Sequence, residues 1–456
     1  MERIRRLWRG EQEQEYEPLS HSELSESRES LPTTTQTGRT GFHYIEYAIF
    51  LLLGISMLWA WNMFLAAGPY FQHRFRSSPW ISENFQAAEI SVSTITNLGS
   101  MLVLTRMQAG ASYPRRIVVS LGINMVVFSL LAASTALEAT PGVYFGFLMG
   151  MMFLTSLATG FCQNGVFAFV AGFGEMKYTQ GIMTGQAVAG VLPCVAQIVS
   201  VLSFQGGDGD SREPPSHDQP PGPPPVKWTA ALAYFITATA ISVATLFAFS
   251  VLLARNRQPK KLQNGNTPDD TGDSEGRKSI PLLYLLRKLI WLASGVFVTF
   301  AVTMVFPVFT QRIVSVRPPQ DQPPILQPAS FIPLALLFWN MGDLAGRMIT
   351  AVPSLSLTRR PRLVFVMALL RIVWVGGYHL CNIRGEGAIV NSDFFYLVVI
   401  QLLFGMSNGY LGSTCMIAAG EWVEDEEREA AGGFMGLCLV AGLTVGSLLS
   451  FFITGT

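Results

Sequence analysis

Long apolar runs separated by short polar segments pattern this 456-residue chain from residue 45 onward. Each run is about 20 residues or longer, enough for a helix to cross a hydrocarbon core of about 30 Å. The runs are unbroken rather than alternating, so they predict helices and not the strands of a closed barrel, the other structure that satisfies its backbone inside lipid. Eleven spans are predicted, at residues 45–70, 87–106, 116–137, 143–172, 180–204, 228–254, 286–312, 330–352, 363–382, 394–419 and 431–454. The expected fold class is therefore an all-α polytopic membrane protein.

The polar segments set the organisation. Residues 1–44 read as a disordered cytosolic tail, rich in Ser, Thr, Glu and Gln and without an apolar period; no signal-peptide pattern opens it. Glu15 to Leu19 and Glu23-Leu24 loosely match acidic leucine-type sorting signals. Pro214 to Pro225 and Pro318 to Pro328 read as stiff connectors, and residues 255–285 as a cytosolic linker. That linker divides the chain into an N-terminal bundle of six spans, 45–254, and a C-terminal bundle of five, 286–456, as expected of a carrier whose halves rock about a central path.

Composition and charge narrow the class. Half of the residues are hydrophobic and 14% are charged, against roughly 25% in a soluble domain. Of the 31 Lys and Arg, 22 fall on one side of the expected topology, 7 on the other and 2 within spans. The positive-inside rule then places the N-terminus in the cytosol and the C-terminus outside the cell or in a lumen. A net charge of zero and the lack of a basic stripe exclude a nucleic-acid partner; the lipid bilayer is the expected surroundings. The five cysteines (Cys162, Cys194, Cys381, Cys415, Cys438) have neither metal-site nor disulfide spacing, and no glycosylation sequon is present. No metal, cofactor or enzymatic activity is expected.

Polar residues inside the spans carry the candidate chemistry, because a charge at mid-membrane costs about 2.5–3.5 kcal/mol on insertion scales. In span 8, Asn340, Asp343 and Arg347 share one helical face, and the i, i+4 spacing lets Asp343 and Arg347 pair. Such a pair either locks helices together or presents an acceptor and a donor to a neutral polar solute. Trp61 and Asn62 in span 1 are either an aromatic wall for a flat heterocycle or part of an aromatic belt. Gln163 in span 4 and Gln186 in span 5 are either ligand amides or interhelical glue, with Gln186, among glycines, read as glue. Arg371 is expected to pair across helices or snorkel, and Glu175 and Glu421 to lie at the cytosolic ends of spans 4 and 10. Small-xxx-small pairs at 342/346, 405/409 (around Asn408), 146/150, 181/185, 432/436 and 442/446 predict close helix packing.

Taken together, the chain resembles the equilibrative nucleoside transporter family over nearly all of residues 45–454. The matching elements are Trp61-Asn62, Gln163, Met183 to Gln186, Phe306-Pro307, the set Asn340, Asp343, Gly346 and Arg347, and Ser407 to Tyr410. The resemblance implies an alternating-access fold like that of the major facilitators and facilitated movement of purine and pyrimidine nucleosides, and in some members nucleobases, by a monomer. It implies base contacts from Trp61 and Gln163, ribose contacts from Asp343 and Arg347, pocket-lining roles for Leu65, Leu98, Leu336 and Leu443, and a gate near Phe306. Ala60 departs from the proline that many members carry before the Trp-Asn pair. The loops are less like those of animal plasma-membrane members and the chain is similar to fungal members of the vacuole, so a vacuolar or lysosomal membrane and the plasma membrane are both expected sites. A proton-coupled carrier using Asp343 or Glu175, and a receptor or structural protein without flux, are the alternatives.

Overall fold

The computed structural model describes residues 44–108, 110–206, 228–263 and 280–454. The tail with its sorting patterns, the Pro214–Pro225 connector and residues 264–279 of the linker lie outside the described residues. In chain order the α-helices are α1 (Tyr44–Ala66), α2 (Gly68–Phe75), α3 (Pro79–Arg106), α4 (Tyr113–Ser134), α5 (Pro141–Gly172), α6 (Met176–Gly206) and α7 (Trp228–Gln263). They continue as α8 (Leu282–Lys288), α9 (Ile290–Thr303), α10 (Val305–Thr310), α11 (Pro328–Ile349), α12 (Pro361–Leu370), α13 (Val373–Tyr378), α14 (Leu403–Ala419) and α15 (Arg428–Thr454). Prolines open many of them, where the missing N–H has no partner to lose.

Ten helical stretches among the described residues are long and apolar enough to cross a membrane, so the chain is a multi-pass integral membrane protein. The expected span at 330–352 folds as α11 but is not one of the ten. Its Asn340, Asp343 and Arg347 dilute the apolar run, so it is the polar helix of the set.

Boundaries differ where backbone chemistry intervenes. The second span starts at Pro79 rather than 87, because Ser82, Glu83, Asn84 and Gln86 mask a helix that begins outside the apolar run. The seventh is broken twice, at Leu289 and at Met304. Pro307 cannot donate to the Thr303 carbonyl, which accounts for the second break. The ninth is interrupted at Arg371-Ile372, and the tenth begins as a π-helix, Phe395–Leu402, before α14.

Glycine decides how the spans meet. Gly342 and Gly346 of α11 face the Leu402 and Met406 carbonyls, while Gly405 and Gly409 of α14 face the Trp339 and Asp343 carbonyls. A Cβ at any of the four would overlap backbone, so these two helices touch main chain to main chain. Gly54 and Gly185 do the same for α1 and α6. The pair Gly146/Gly150 has open space instead, since both point away from every neighbouring helix.

Within residues 44–263, α1 packs on α6 and α7, and α5 on α3 and α4; within 282–454, α9 packs on α12, α14 and α15, and α11 on α14. Between the two sets, α6 meets α11 and α14, and α15 meets α3 and α5. One apolar core joins both sets through Ile182, Phe167, Val296 and Met435. At the end carrying residues 104–116, 164–175 and 420–433, Glu429 lies against Gly172, Arg428 against Gly174, and the Ile280 N–H donates to Gln108 Oε1 at 3.0 Å. Lys288 and Glu427 pair at 2.5 Å there, and the Glu427 carboxylate holds the Lys288 ammonium above its ordinary pKa.

Candidate functional site

Local spacing builds the first part of the site. Arg347, one turn after Asp343 on α11, donates from Nε to Asp343 Oδ2 at 2.8 Å, and both side chains are buried. Neighbouring helices complete it. Asn408 of α14 donates from Nδ2 to Asp343 Oδ1 at 2.7 Å, so each carboxylate oxygen accepts one hydrogen bond. A carboxylate oxygen has two acceptor directions, which leaves capacity on both for a further donor. Arg347 Nη1 also reaches α6, donating to the Met183 carbonyl at 2.8 Å and to Gln186 Oε1 at 3.1 Å.

A second buried arginine extends the network. Arg371 lies at the break between α12 and α13 and donates from Nε to Ser407 Oγ at 3.0 Å, from Nη2 to Thr303 Oγ1 at 3.1 Å and from Nη1 to the Thr299 carbonyl. Its guanidinium sits 4.7 Å from the Phe404 ring centroid. Thr303 Oγ1 in turn lies 2.6 Å from Asn408 Oδ1. Arg371 is 2% exposed, and its three hydrogen bonds all cross to other helices.

The other candidates divide by whether their polar atoms are already engaged. Pro193, inside α6, has no N–H to donate to the Ala189 carbonyl, and Asn62 Nδ2 fills that place at 2.7 Å. Asn62 thereby ties α1 to α6. Asn340 Nδ2 bonds the Leu336 carbonyl of its own helix at 2.9 Å and approaches Cys194 Sγ at 3.5 Å, with its amide oxygen in the space left by Gly190. The Ala189-Gly190 turn of α6 therefore meets the span 1 motif on one side and the span 8 motif on the other. Gln186 bridges Arg347 to Met57 Sδ at 3.8 Å.

Gln163 is different. It is 4% exposed and its Oε1 has no hydrogen-bond partner. Trp61 is half-buried beside the apolar cluster of Phe64 and Phe128. No hydrogen bond in the described structure links Trp61 or Gln163 to the Asp343 network. Leu98 and Leu443 pack on the core that joins the two sets of helices, Leu336 is half-buried, and Leu65 is exposed. Phe306 stacks on Trp339 with centroids 4.0 Å apart and planes at 4°, just before Pro307. A cleft lined by Tyr70, His73, Arg74, Glu138 and Trp228 includes none of these residues.

Several participants were not legible in the sequence. Thr299 and Thr303 are hydroxyl residues within one apolar run, and the Met183 carbonyl is main chain. Glu89 had a visible signal, an acidic residue inside a predicted span. It is 6% exposed, and its Oε1 has no partner.

A sequence profile of the nucleoside transporter family matches residues 149–264 and 252–455. The chain belongs to that family. It is 28% identical to the nucleoside transporter FUN26 of Saccharomyces cerevisiae, over 95% of this chain and 88% of that protein. It is 25% identical to equilibrative nucleoside transporter 2 of Homo sapiens, over 91% and 97% respectively. Among solved structures it is similar in fold to the major facilitator superfamily transporter FucP in the outward conformation, with a TM-score of 0.56 and 15% identity over 90% of this chain and 92% of that one. The proton:xylose symporter XylE matches with a TM-score of 0.57 and 9% identity over 90% and 88%. The fold of this nucleoside transporter family member is thus the major facilitator fold, as the resemblance implied.

Proposed function

We propose that the chain carries nucleosides, purine and pyrimidine, across a membrane by facilitated diffusion with alternating access. Family membership supports the substrate class, and one observation supports the site: a buried aspartate whose two oxygens are each held by one donor while keeping free acceptor capacity. In this reading the sugar hydroxyls bind Asp343 and Arg347, and the base lies against Trp61 and the unpartnered Gln163 oxygen. The halves that rock are residues 45–254 and 286–456. The end closed by Glu429, Arg428 and the Gln108–Ile280 bond is the cytosolic one, with the N-terminus on the same side. The carrier acts as a monomer without a cofactor, in a vacuolar, lysosomal or plasma membrane.

The test is tracer uridine and adenosine entry into liposomes containing the purified protein. Saturable uptake that equilibrates with the gradient, and is lost in Asp343→Ala, is the expected result. Absence of saturable uptake, or equal uptake by the variant, overturns the proposal.

Glu89 favours a second reading, proton-coupled carriage, because an ionisable side chain buried in a membrane helix without a partner marks an ion path by default. Its helix packs on α5, α15 and α2, and α2 carries Arg74. Arg74 is already held over the Tyr144 ring and on Tyr70 and the Leu137 carbonyl. Accumulation driven by an imposed pH gradient, and lost in Glu89→Gln, separates this reading from the first.

A further inference from the structure

Two arginines surround one carboxylate, but only Arg347 touches it. Arg371 is buried at the break between α12 and α13, and no ion pair of its own is seen among the described residues. One of its three hydrogen bonds starts a path to that carboxylate: Arg371 Nη2 holds Thr303, which holds Asn408, which holds Asp343.

The chain has a direction set by proton count. The Thr303 hydroxyl has one proton and two acceptors in reach, the Thr299 carbonyl at 2.8 Å and Asn408 Oδ1 at 2.6 Å. Arg371 occupies the first acceptor with Nη1 and donates to the hydroxyl oxygen itself with Nη2. Both contacts turn the Thr303 proton toward Asn408. The Asn408 carboxamide is then fixed with its oxygen on Thr303 and its NH2 on Asp343 Oδ1 at 2.7 Å. The opposite flip would set an amide oxygen against a carboxylate oxygen, two acceptors face to face.

We infer that Arg371 is a positioning residue for solute selection: through Thr303 and Asn408 it sets the orientation in which Asp343 receives the solute's sugar hydroxyls. This rests on the reading that Asp343 binds those hydroxyls. A merely structural Arg371 predicts equal losses for all solutes. A positioning Arg371 predicts losses confined to solutes that use the hydroxyls.

The experiment compares uridine with 2′,3′-dideoxyuridine, which lacks the 2′ and 3′ hydroxyls, in proteoliposomes holding the full-length protein. Thr303→Val keeps shape and removes the relay proton; Thr303→Ser keeps it. Arg371→Lys keeps charge and loses the fork. Thr303→Val and Arg371→Lys are expected to raise the uridine KM about ten-fold, the scale of one hydrogen bond to a charged group, and to leave the dideoxyuridine KM within about two-fold. Thr303→Ser is expected to behave as wild type. If Arg371→Lys does not fold, Thr303→Val carries the test alone. Equal changes for both solutes, or none for either, overturn the inference. Asp343→Asn separates the two levels: selective loss of uridine there, without selective loss in Thr303→Val, defeats the relay and keeps the ribose reading. Equal loss of both solutes in Asp343→Asn defeats the ribose reading and the relay with it.

Discussion

Arg347 of α11 reaches across to α6 and donates to the main-chain oxygen of Met183 at 2.8 Å. The same guanidinium pairs with Asp343 of its own helix. The residue that neutralises the candidate solute-binding carboxylate is thus also a tie between the early and late helices. Movement of α6 relative to α11 has to break the Met183 and Gln186 bonds, and the Asp343–Arg347 pair on one helix can survive that movement intact.

Removing Arg347 strands a buried carboxylate. Arg347→Met is expected to cost about 3–5 kcal/mol of stability, as for breaking one partner of a buried pair. Adding Asp343→Asn should recover much of that loss without restoring uptake. Thermal unfolding in detergent, arranged as a double-mutant cycle, checks both. Additive losses would contradict the pairing.

The glycine contacts predict a contrast between positions. Gly342→Ala and Gly409→Ala force Cβ atoms into the Leu402 and Asp343 carbonyls, whereas Gly146→Ala and Gly150→Ala fill open space. The first pair should cost about 1–3 kcal/mol, the range for overpacking. The second pair should leave the melting temperature unchanged or raised, since alanine favours helix over glycine by about 1 kcal/mol. Melting curves in one detergent decide between them, and equal effects at all four sites would refute the assignment.

Gln163 offers a direct test of the base contact. Its Oε1 has no partner in the structure, so Gln163→Leu deletes no acceptor bond seen there and should leave stability within about 1 kcal/mol. Uptake of tracer uridine should nonetheless fall. Retained uptake would assign Gln163 to packing and not to the solute.

Glu89 should tolerate replacement by its neutral isostere. A carboxyl group buried without a partner opposes folding, so Glu89→Gln is expected to hold or raise the melting temperature. A large loss of stability would reveal a partner that the present arrangement does not contain.

Much of the site was readable because its logic is local. Asp343 and Arg347 pair through an i, i+4 spacing, and Gly342, Gly346, Gly405 and Gly409 form contacts that small-residue periodicity announces. Asn62 shows the opposite case. Its neighbour Trp61 suggested a heterocycle wall, yet its amide serves a carbonyl that Pro193 leaves free, and nothing in the sequence relates position 62 to position 193. Arg371 was visible as a charge in a span, but its path to Asp343 runs through Thr303, a hydroxyl indistinguishable in sequence from many others.

The sequence by itself determined that this is a helical membrane protein of the nucleoside transporter family, which helix is the polar one, and which acid and base share its face. Hydropathy and helical period act along the chain, so they are written in residue order. Only the tertiary structure decided that Arg347 ties α11 to α6 and that Arg371 reaches Asp343 through two intermediates. It also decided that Gln163 and Glu89 keep buried oxygens without partners. Those facts depend on which helices lie side by side and on the direction of single hydrogen bonds between them, and residues far apart in sequence carry no local signal of either.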